Sequence, residues 1–150
     1  MSAVRRLSLL PLLFSLVFLA SACGGGNSEP GPEVTTPSGL AWKIVKAGKG
    51  TAVVEKGNTI TAHYTLWLKD GTLVQSSKAE WGGGGAPFQT VIGTGQVIPG
   101  WDEGVIGMKA GEVRKLVCPP QLAYGERGRP PTIPQNATLT FEIELVSFRK

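Results

Sequence analysis

The sequence predicts an α+β fold, an antiparallel sheet wrapped over one short helix, on three observations. Residues 58–68 and 137–148 alternate apolar and polar side chains with the period of two that a half-buried strand requires. Gly 21 and Pro 11 in 150 residues, with only 17% charged, favour turns and strands over a helical bundle. One short stretch, 98–106, spaces its apolar residues as a helix does, with Trp101 and Val105 at i, i+4.

The elements follow in chain order. A first strand at 40–45, containing Leu40, Trp42 and Ile44, stops at Gly48 and Gly50. The strand at 58–68 sets Ile60, Ala62, Tyr64, Leu66 and Leu68 on one face, with Thr59, Thr61, His63, Thr65 and Trp67 on the other. Asp70-Gly71 suits a tight hairpin turn and feeds a strand at 72–77. The glycine run 82–85 predicts a flexible loop before a strand at 88–92. The short helix has acids near its start, Asp102 and Glu103, and Gly107 near its end. Its internal glycines make it a poor autonomous helix, so packing must hold it. A strand follows at 113–118. The last, at 137–148, faces Leu139, Phe141, Ile143 and Leu145 one way and Thr138, Thr140, Glu142 and Glu144 the other.

The amino-terminal part reads differently. Arg5 and Arg6 precede an apolar stretch at 7–20 and small residues before Cys23, the pattern of an export signal. The apolar run is shorter than the ~18–20 residues of a membrane span. Leu19-Ala20-Ser21-Ala22-Cys23 resembles the lipobox of bacterial lipoproteins, with Ala20 where a large aliphatic residue is usual. A lipid-modified Cys23 is expected on that resemblance, the alternatives being a cleaved secretory signal and an uncleaved anchor. Gly24 follows the cysteine, which favours the outer membrane over retention at the inner one. Residues 24–37 are rich in Gly, Pro, Ser and Thr and bury too little to offset the entropy of ordering them, so they read as a flexible tether. The expected organisation is a signal peptide at 1–22, a lipidated cysteine and tether at 23–37, and a folded domain at 38–150.

Charge excludes one function class. Without Arg5 and Arg6, the 15 basic residues become 13 against 11 acidic, or +2, and no Lys/Arg run marks a nucleic-acid footprint. Cys118 ends an apolar strand and reads as a small buried hydrophobe rather than a reactive thiol. The single His63 cannot build a metal cluster, and no Cys/His ligand spacing exists.

Five stretches in order carry a resemblance: Ala62-His63-Tyr64-Thr65, Lys69-Asp70-Gly71, Val97-Ile98-Pro99-Gly100-Trp101-Asp102-Glu103-Gly104, Ala123-Tyr124-Gly125 and Asn136-Ala137-Thr138-Leu139-Thr140-Phe141. Together they resemble the FKBP family, the rapamycin-binding type of peptidyl-prolyl cis-trans isomerase, from about Leu40 to the carboxyl terminus. The resemblance implies an antiparallel five- to six-stranded half-barrel around one short helix, and a monomer. It implies X-Pro peptides and unfolded exported proteins as partners, with rapamycin-like macrolides as ligands. No metal or cofactor is implied, because turning an X-Pro amide breaks no bond. Residue by residue, Trp101 resembles the floor under the proline ring. Tyr64, Phe88 and Phe141 resemble the walls, and Val97, Ile98 and Ile133 the rim. The Ile98 N–H and the Tyr124 hydroxyl resemble donors that grip substrate carbonyls. Tyr64, Trp101, Tyr124 and Phe141 are thus the expected catalytic set.

This chain departs from the pattern in two places. Val74-Gln75-Ser76-Ser77 stands where the family commonly shows Phe-Asp-Ser-Ser, which removes an aromatic wall and a carboxylate. The 78–86 loop, with Trp81 and four glycines, is long and is expected to form a mobile flap, Trp81 either folding over a peptide or sitting exposed. Arg127 and Arg129 lie where the family varies, and are expected to influence the residue preceding proline. Three functions follow: an envelope prolyl isomerase, a weakly or non-catalytic proline-peptide binder or chaperone, and a structural surface lipoprotein with an idle pocket.

Overall fold

The computed structural model describes residues 31–150, so the expected signal peptide, Cys23 and the first half of the expected tether lie outside the described residues. The elements are β1 (Val34–Thr35), β2 (Ala41–Lys46), β3 (Thr59–Leu68), β4 (Leu73–Ser76), β5 (Phe88–Val91), α1 (Pro99–Gly104), β6 (Val113–Cys118) and β7 (Leu139–Arg149). The seven strands form one antiparallel sheet in the order β1-β2-β6-β7-β3-β4. β5 also pairs with β3, over Thr59 to Ala62, while β4 takes Thr65 to Trp67. Two strands therefore share one edge of β3, and the 77–87 segment connects them.

The sheet exceeds the expected five or six strands because the tether is ordered at its end. Val34 pairs with Trp42, Gly31 N–H donates to the Ile44 carbonyl at 2.8 Å, and Thr36 N–H donates to Leu40 at 2.8 Å. Backbone groups on the free edge of β2 make this pairing without any large side chain, which is why composition missed it.

The two alternating strands pair along their whole length, Leu68 opposite Leu139 through Thr59 opposite Arg149. A bulge between Thr61 and Ala62 leaves Val146 unpaired and reverses the inside–outside phase of β7. Leu139, Phe141, Ile143 and Leu145 are buried as the alternation predicts; beyond the bulge Val146 is exposed and Phe148 packs against the core. Ile60, Ala62, Leu66, Leu116, Val105 and Met108 complete the inner layer.

α1 crosses that inner face. Pro99 starts it, and Gly100, Trp101 and Gly104 are its buried residues. A Cβ on Gly104 would meet both Leu116 methyls at 2.7–2.8 Å, so the glycine that weakens the helix is what lets it approach the sheet. Gly100 likewise faces Cys118 and the Leu122 carbonyl. Cys118 is buried there, and burial, with a smaller push from the Glu103 carboxylate, raises its thiol to about 12.

Behind the helix, Glu112 and Arg114 form a buried ion pair, Nη2 to Oε1 at 2.7 Å and Nε to the same oxygen at 2.9 Å. Arg114 Nη1 donates to the Gly104 carbonyl at 2.8 Å and the Ile106 carbonyl at 3.1 Å, closing the carboxyl end of α1, and its guanidinium lies 4.2 Å from the Trp42 ring centre. Among the described residues no helix is long and apolar enough to cross a membrane.

Candidate functional site

Where α1 meets the open edge of the sheet, a cavity of about 570 Å³ is left between them. Trp101, 4% exposed, is at the centre of its aromatic wall. Three rings stand edge-on to the indole: Tyr64 at 5.5 Å, Phe141 at 5.7 Å and Phe88 at 6.0 Å between ring centres, with interplanar angles of 82–85°. Tyr64 and Phe88 also meet edge-on at 6.0 Å. Such T-shaped contacts fix each ring's orientation as well as burying area.

Each ring is held by local structure. Tyr64 N–H donates to Ser77 Oγ at 2.9 Å, while Ser77 N–H and Ser76 Oγ donate to the Tyr64 carbonyl at 2.9 and 3.1 Å. The Ser-Ser pair thus clamps β4 onto β3 at the residue that supplies the wall. Phe141 descends from near the start of β7, and Phe88 opens β5, where it is 40% exposed. Trp101 is positioned through its neighbour. The Asp102 carboxylate accepts the Gly93 N–H at 2.7 Å on one oxygen and the Gly95 N–H at 2.9 Å on the other. It ties α1 to the turn that leads into Val97 and Ile98. The Ile98 carbonyl in turn accepts the Trp101 and Asp102 amides at 2.9 and 3.2 Å.

Most of the residues expected at the site converge on this one cavity. Tyr64, Gln75, Phe88, Val97, Ile98, Trp101, Tyr124 and Phe141 all line it. Two do not. Ile133, expected at the rim, is 2% exposed and belongs to the core. Val74 is the extra residue of a bulge between the Leu66–Gln75 and Trp67–Leu73 pairs and packs half-buried against the core, while Gln75 reaches the cavity. The wall also includes residues the sequence reading did not single out: Leu66, Gln96, Pro99 and Ala123. Leu66 was legible as an inward position on β3; Gln96 carried no signal beyond its neighbour Val97.

No residue of the 78–86 loop lines the cavity, and of the two positions expected for Trp81 the structure has the exposed one. Trp81 stacks edge-on against Trp67 at 5.9 Å, and Trp67 points to the face of β3 opposite Leu66. Backbone bonds from Gly82 to Ala79, Gly83 to Lys78 and Gly85 to Ser77 close the loop on itself. Lys78 Nζ then pins it to Glu144 at 3.0 Å and Glu142 at 3.8 Å on the outer face of β7. The aromatic and ionic contacts are all on the convex side, which draws the loop away from the cavity. Trp81 remains 49% exposed.

The cavity mixes aromatic and aliphatic walls with the polar side chains of Gln75, Gln96, Tyr64, Tyr124 and Arg129. Tyr64 has its hydroxyl raised above the usual phenol range, first by burial, then by nearby Tyr124, against a lowering from Arg129. It therefore stays protonated and able to donate at physiological pH. Arg129 is the one charged residue on the wall among the described residues, and its guanidinium lies 5.9 Å from the Tyr124 ring centre. Among the described residues no group of three or more His, Cys, Asp or Glu side chains is arranged to hold a metal ion. A site of this kind, an aromatic box with a few fixed donors, suits binding and turning a small apolar ring beside an amide.

Comparison with known proteins agrees with the geometry. The family model described as FKBP-type peptidyl-prolyl cis-trans isomerase matches residues 50–146. FK506-binding protein 1 of Rhizopus delemar is 45% identical over 108 residues, 72% of this chain and 96% of that protein. Peptidyl-prolyl cis-trans isomerase FKBP2 of Homo sapiens is 52% identical over 95 residues, 63% of this chain and 64% of its own length. Among solved structures, the crystal structure of AtFKBP13 superposes with a TM-score of 0.69 at 36% identity, covering 79% of this chain and 99% of that one. The strand order, the helix-borne tryptophan and these likenesses lead to one conclusion: the chain belongs to the FKBP-type peptidyl-prolyl cis-trans isomerase family.

Proposed function

We propose that the cavity receives the proline ring of an X-Pro bond on Trp101, between Tyr64, Phe88 and Phe141, and speeds its cis-trans exchange by favouring the twisted amide. The uncatalysed barrier of about 18–20 kcal/mol comes from lost amide resonance, and it makes the step take roughly tens to hundreds of seconds. A planar amide is more polar than a twisted one. Once a bound peptide excludes water, the aromatic box stabilises the twisted state relative to the planar ground state, which is differential binding of the transition state. The Tyr124 hydroxyl and the Ile98 N–H hold the flanking carbonyls, and Val97 and Gln75 border the bound peptide. No proton is transferred. The observation that carries this reading is the box itself, three rings standing edge-on around a buried indole.

Clients are X-Pro segments of unfolded exported proteins, and macrolides of the kind that the FK506-binding relatives are named for compete for the same box. The chain acts as a monomer in a bacterial envelope, lipid-anchored through Cys23 after removal of residues 1–22, with the outer membrane favoured. The anchor rests on residues 19–23 alone; the relatives named above are eukaryotic and lend it nothing. Mass measurement of the mature amino terminus tests it, an unmodified Cys23 being the contrary result.

A second reading, a proline-peptide binder with weak turnover, is favoured by one feature: Gln75 faces the cavity where the family commonly has a carboxylate. A protease-coupled proline-peptide assay with parallel tryptophan fluorescence separates the two. The isomerase reading expects acceleration that Trp101→Leu abolishes. Binding without acceleration replaces it with the second.

A further inference from the structure

We infer that Arg129 makes the site selective for an acidic side chain next to the proline, so that its preferred substrates carry Asp or Glu immediately before or after it. The inference rests on the isomerase reading of the cavity and names a substrate class within it.

Four observations lead there. Arg129 lines the cavity, and no carboxylate does: the nearest candidate position on the wall is filled by neutral Gln75. Among the described residues no Asp or Glu lies within ion-pair distance of its guanidinium, whereas Lys78, Arg114 and Lys150 are each paired. The charge sits beside the donor proposed to hold a substrate carbonyl, 5.9 Å from the centre of the Tyr124 ring, and its field reaches across to the Tyr64 hydroxyl. Finally, its backbone is fixed. Arg129 N–H donates to the Ile133 carbonyl at 2.9 Å, Ile133 N–H returns the bond at 3.0 Å, and Ile133 itself is buried in the core. Ile133 thus acts as the anchor that holds Arg129 at the mouth of the site.

Arg127, which sequence alone made an equal candidate, does not line the cavity, and neither does Glu126. A bound peptide excludes water from one side of the guanidinium and lowers the local dielectric, which strengthens a pair that would be weak on open surface. An unpaired arginine whose origin is held in place also loses less freedom than two mobile partners would.

The test compares peptides identical except for Glu or Gln at the position before proline, and a second pair varied at the position after it. Cis-trans exchange is followed by protease-free NMR, so that protease preference does not enter. Expected is a Glu over Gln ratio in kcat/KM of about three- to fivefold in at least one pair at low salt, falling toward one near 1 M salt. Arg129→Gln is expected to bring the ratio to one, and Arg129→Glu to invert it. A ratio of one in both pairs for the wild type overturns the inference, as does a ratio that Arg129→Gln leaves intact. Leu-Pro peptides report the isomerase itself. If they are not accelerated either, the isomerase reading has failed, and the same Glu and Gln peptides titrated by tryptophan fluorescence decide the selectivity from their Kd ratio.

Discussion

The floor of the site and its mouth are made of different material. Trp101 and Phe141 on the floor are each 4% exposed and are counted equally by the core and by the cavity. At the mouth, Phe88 is 40% exposed, and Gln75 and Arg129 are exposed polar residues. The floor cannot change without changing the fold, because its rings are also the packing between α1 and β7. The mouth residues sit on β4, β5 and a turn, and the anchors of β4 and of the turn, the Ser76-Ser77 clamp and Ile133, are other residues. Substitution at the floor should therefore cost stability and turnover together, and substitution at the mouth should move turnover or selectivity alone.

The largest expected effect lies behind the floor. Arg114→Met leaves Glu112 as a buried, unpaired carboxylate and releases the Gly104 and Ile106 carbonyls, a loss of about 3–5 kcal/mol. Urea unfolding measures it, and replacing Glu112 by Leu in the same variant should recover most of the loss. Full stability in the single variant would show that the helix end needs no such support.

Asp102→Asn comes next. Its one remaining carbonyl oxygen can still accept one of the two backbone donors, but its N–H₂ is set against the other, at a cost of about 1–3 kcal/mol, and this loosens the turn that feeds Val97 and Ile98. KM should rise along with the loss of melting temperature. Unchanged kinetics in a destabilised variant would make Asp102 part of the scaffold alone.

Tyr124→Phe probes the mouth. Stability should stay within about 0.5 kcal/mol, since the ring is retained, while kcat/KM falls by about tenfold, the worth of one lost hydrogen bond. A matched drop in stability would blur the division between floor and mouth.

The smallest effect is on the convex face. The Glu144 carboxyl is held below its usual range, first by its hydrogen bond to Lys78. A lowered folded-state value stabilises above the unfolded pKa, and that contribution is lost as pH falls through the folded one. The pair is partly exposed, so only ~0.5 kcal/mol is expected to disappear on acidification below the usual glutamate range. Glu144→Gln should remove that part of the acid dependence without changing turnover at neutral pH.

How much of this was legible depended on whether a side chain carried the signal. β3 and β7 were readable because apolar and polar side chains alternate along their sequences, and Val113–Cys118 was predicted to the residue as a strand ending in a short apolar run. Trp101, Tyr64 and Phe141 were readable through their order along the chain. What stayed hidden was held by backbone or by tertiary contact. β1 is two residues of backbone pairing on an edge; the bulge at Val146 has no residue signature; a second bulge, at Val74, leaves only Gln75 of the expected pair at the cavity. The Trp67–Trp81 contact joins residues that sequence placed in separate elements, and it decides between the two expected positions of Trp81, over a peptide or exposed, in favour of the second. Glu112 and Arg114 sit two apart, one face of an extended chain, a spacing that predicts neighbours but not burial.

The account turns on catalysis by an aromatic box that moves no proton, and the exchange rate of a Leu-Pro peptide against pH tests that most directly. Protease-free NMR exchange with the wild-type chain is predicted to show acceleration that is flat from about pH 6 to 8.5, consistent with a Tyr64 hydroxyl held above its ordinary range. Absence of acceleration, or a bell-shaped profile across that window, would contradict it.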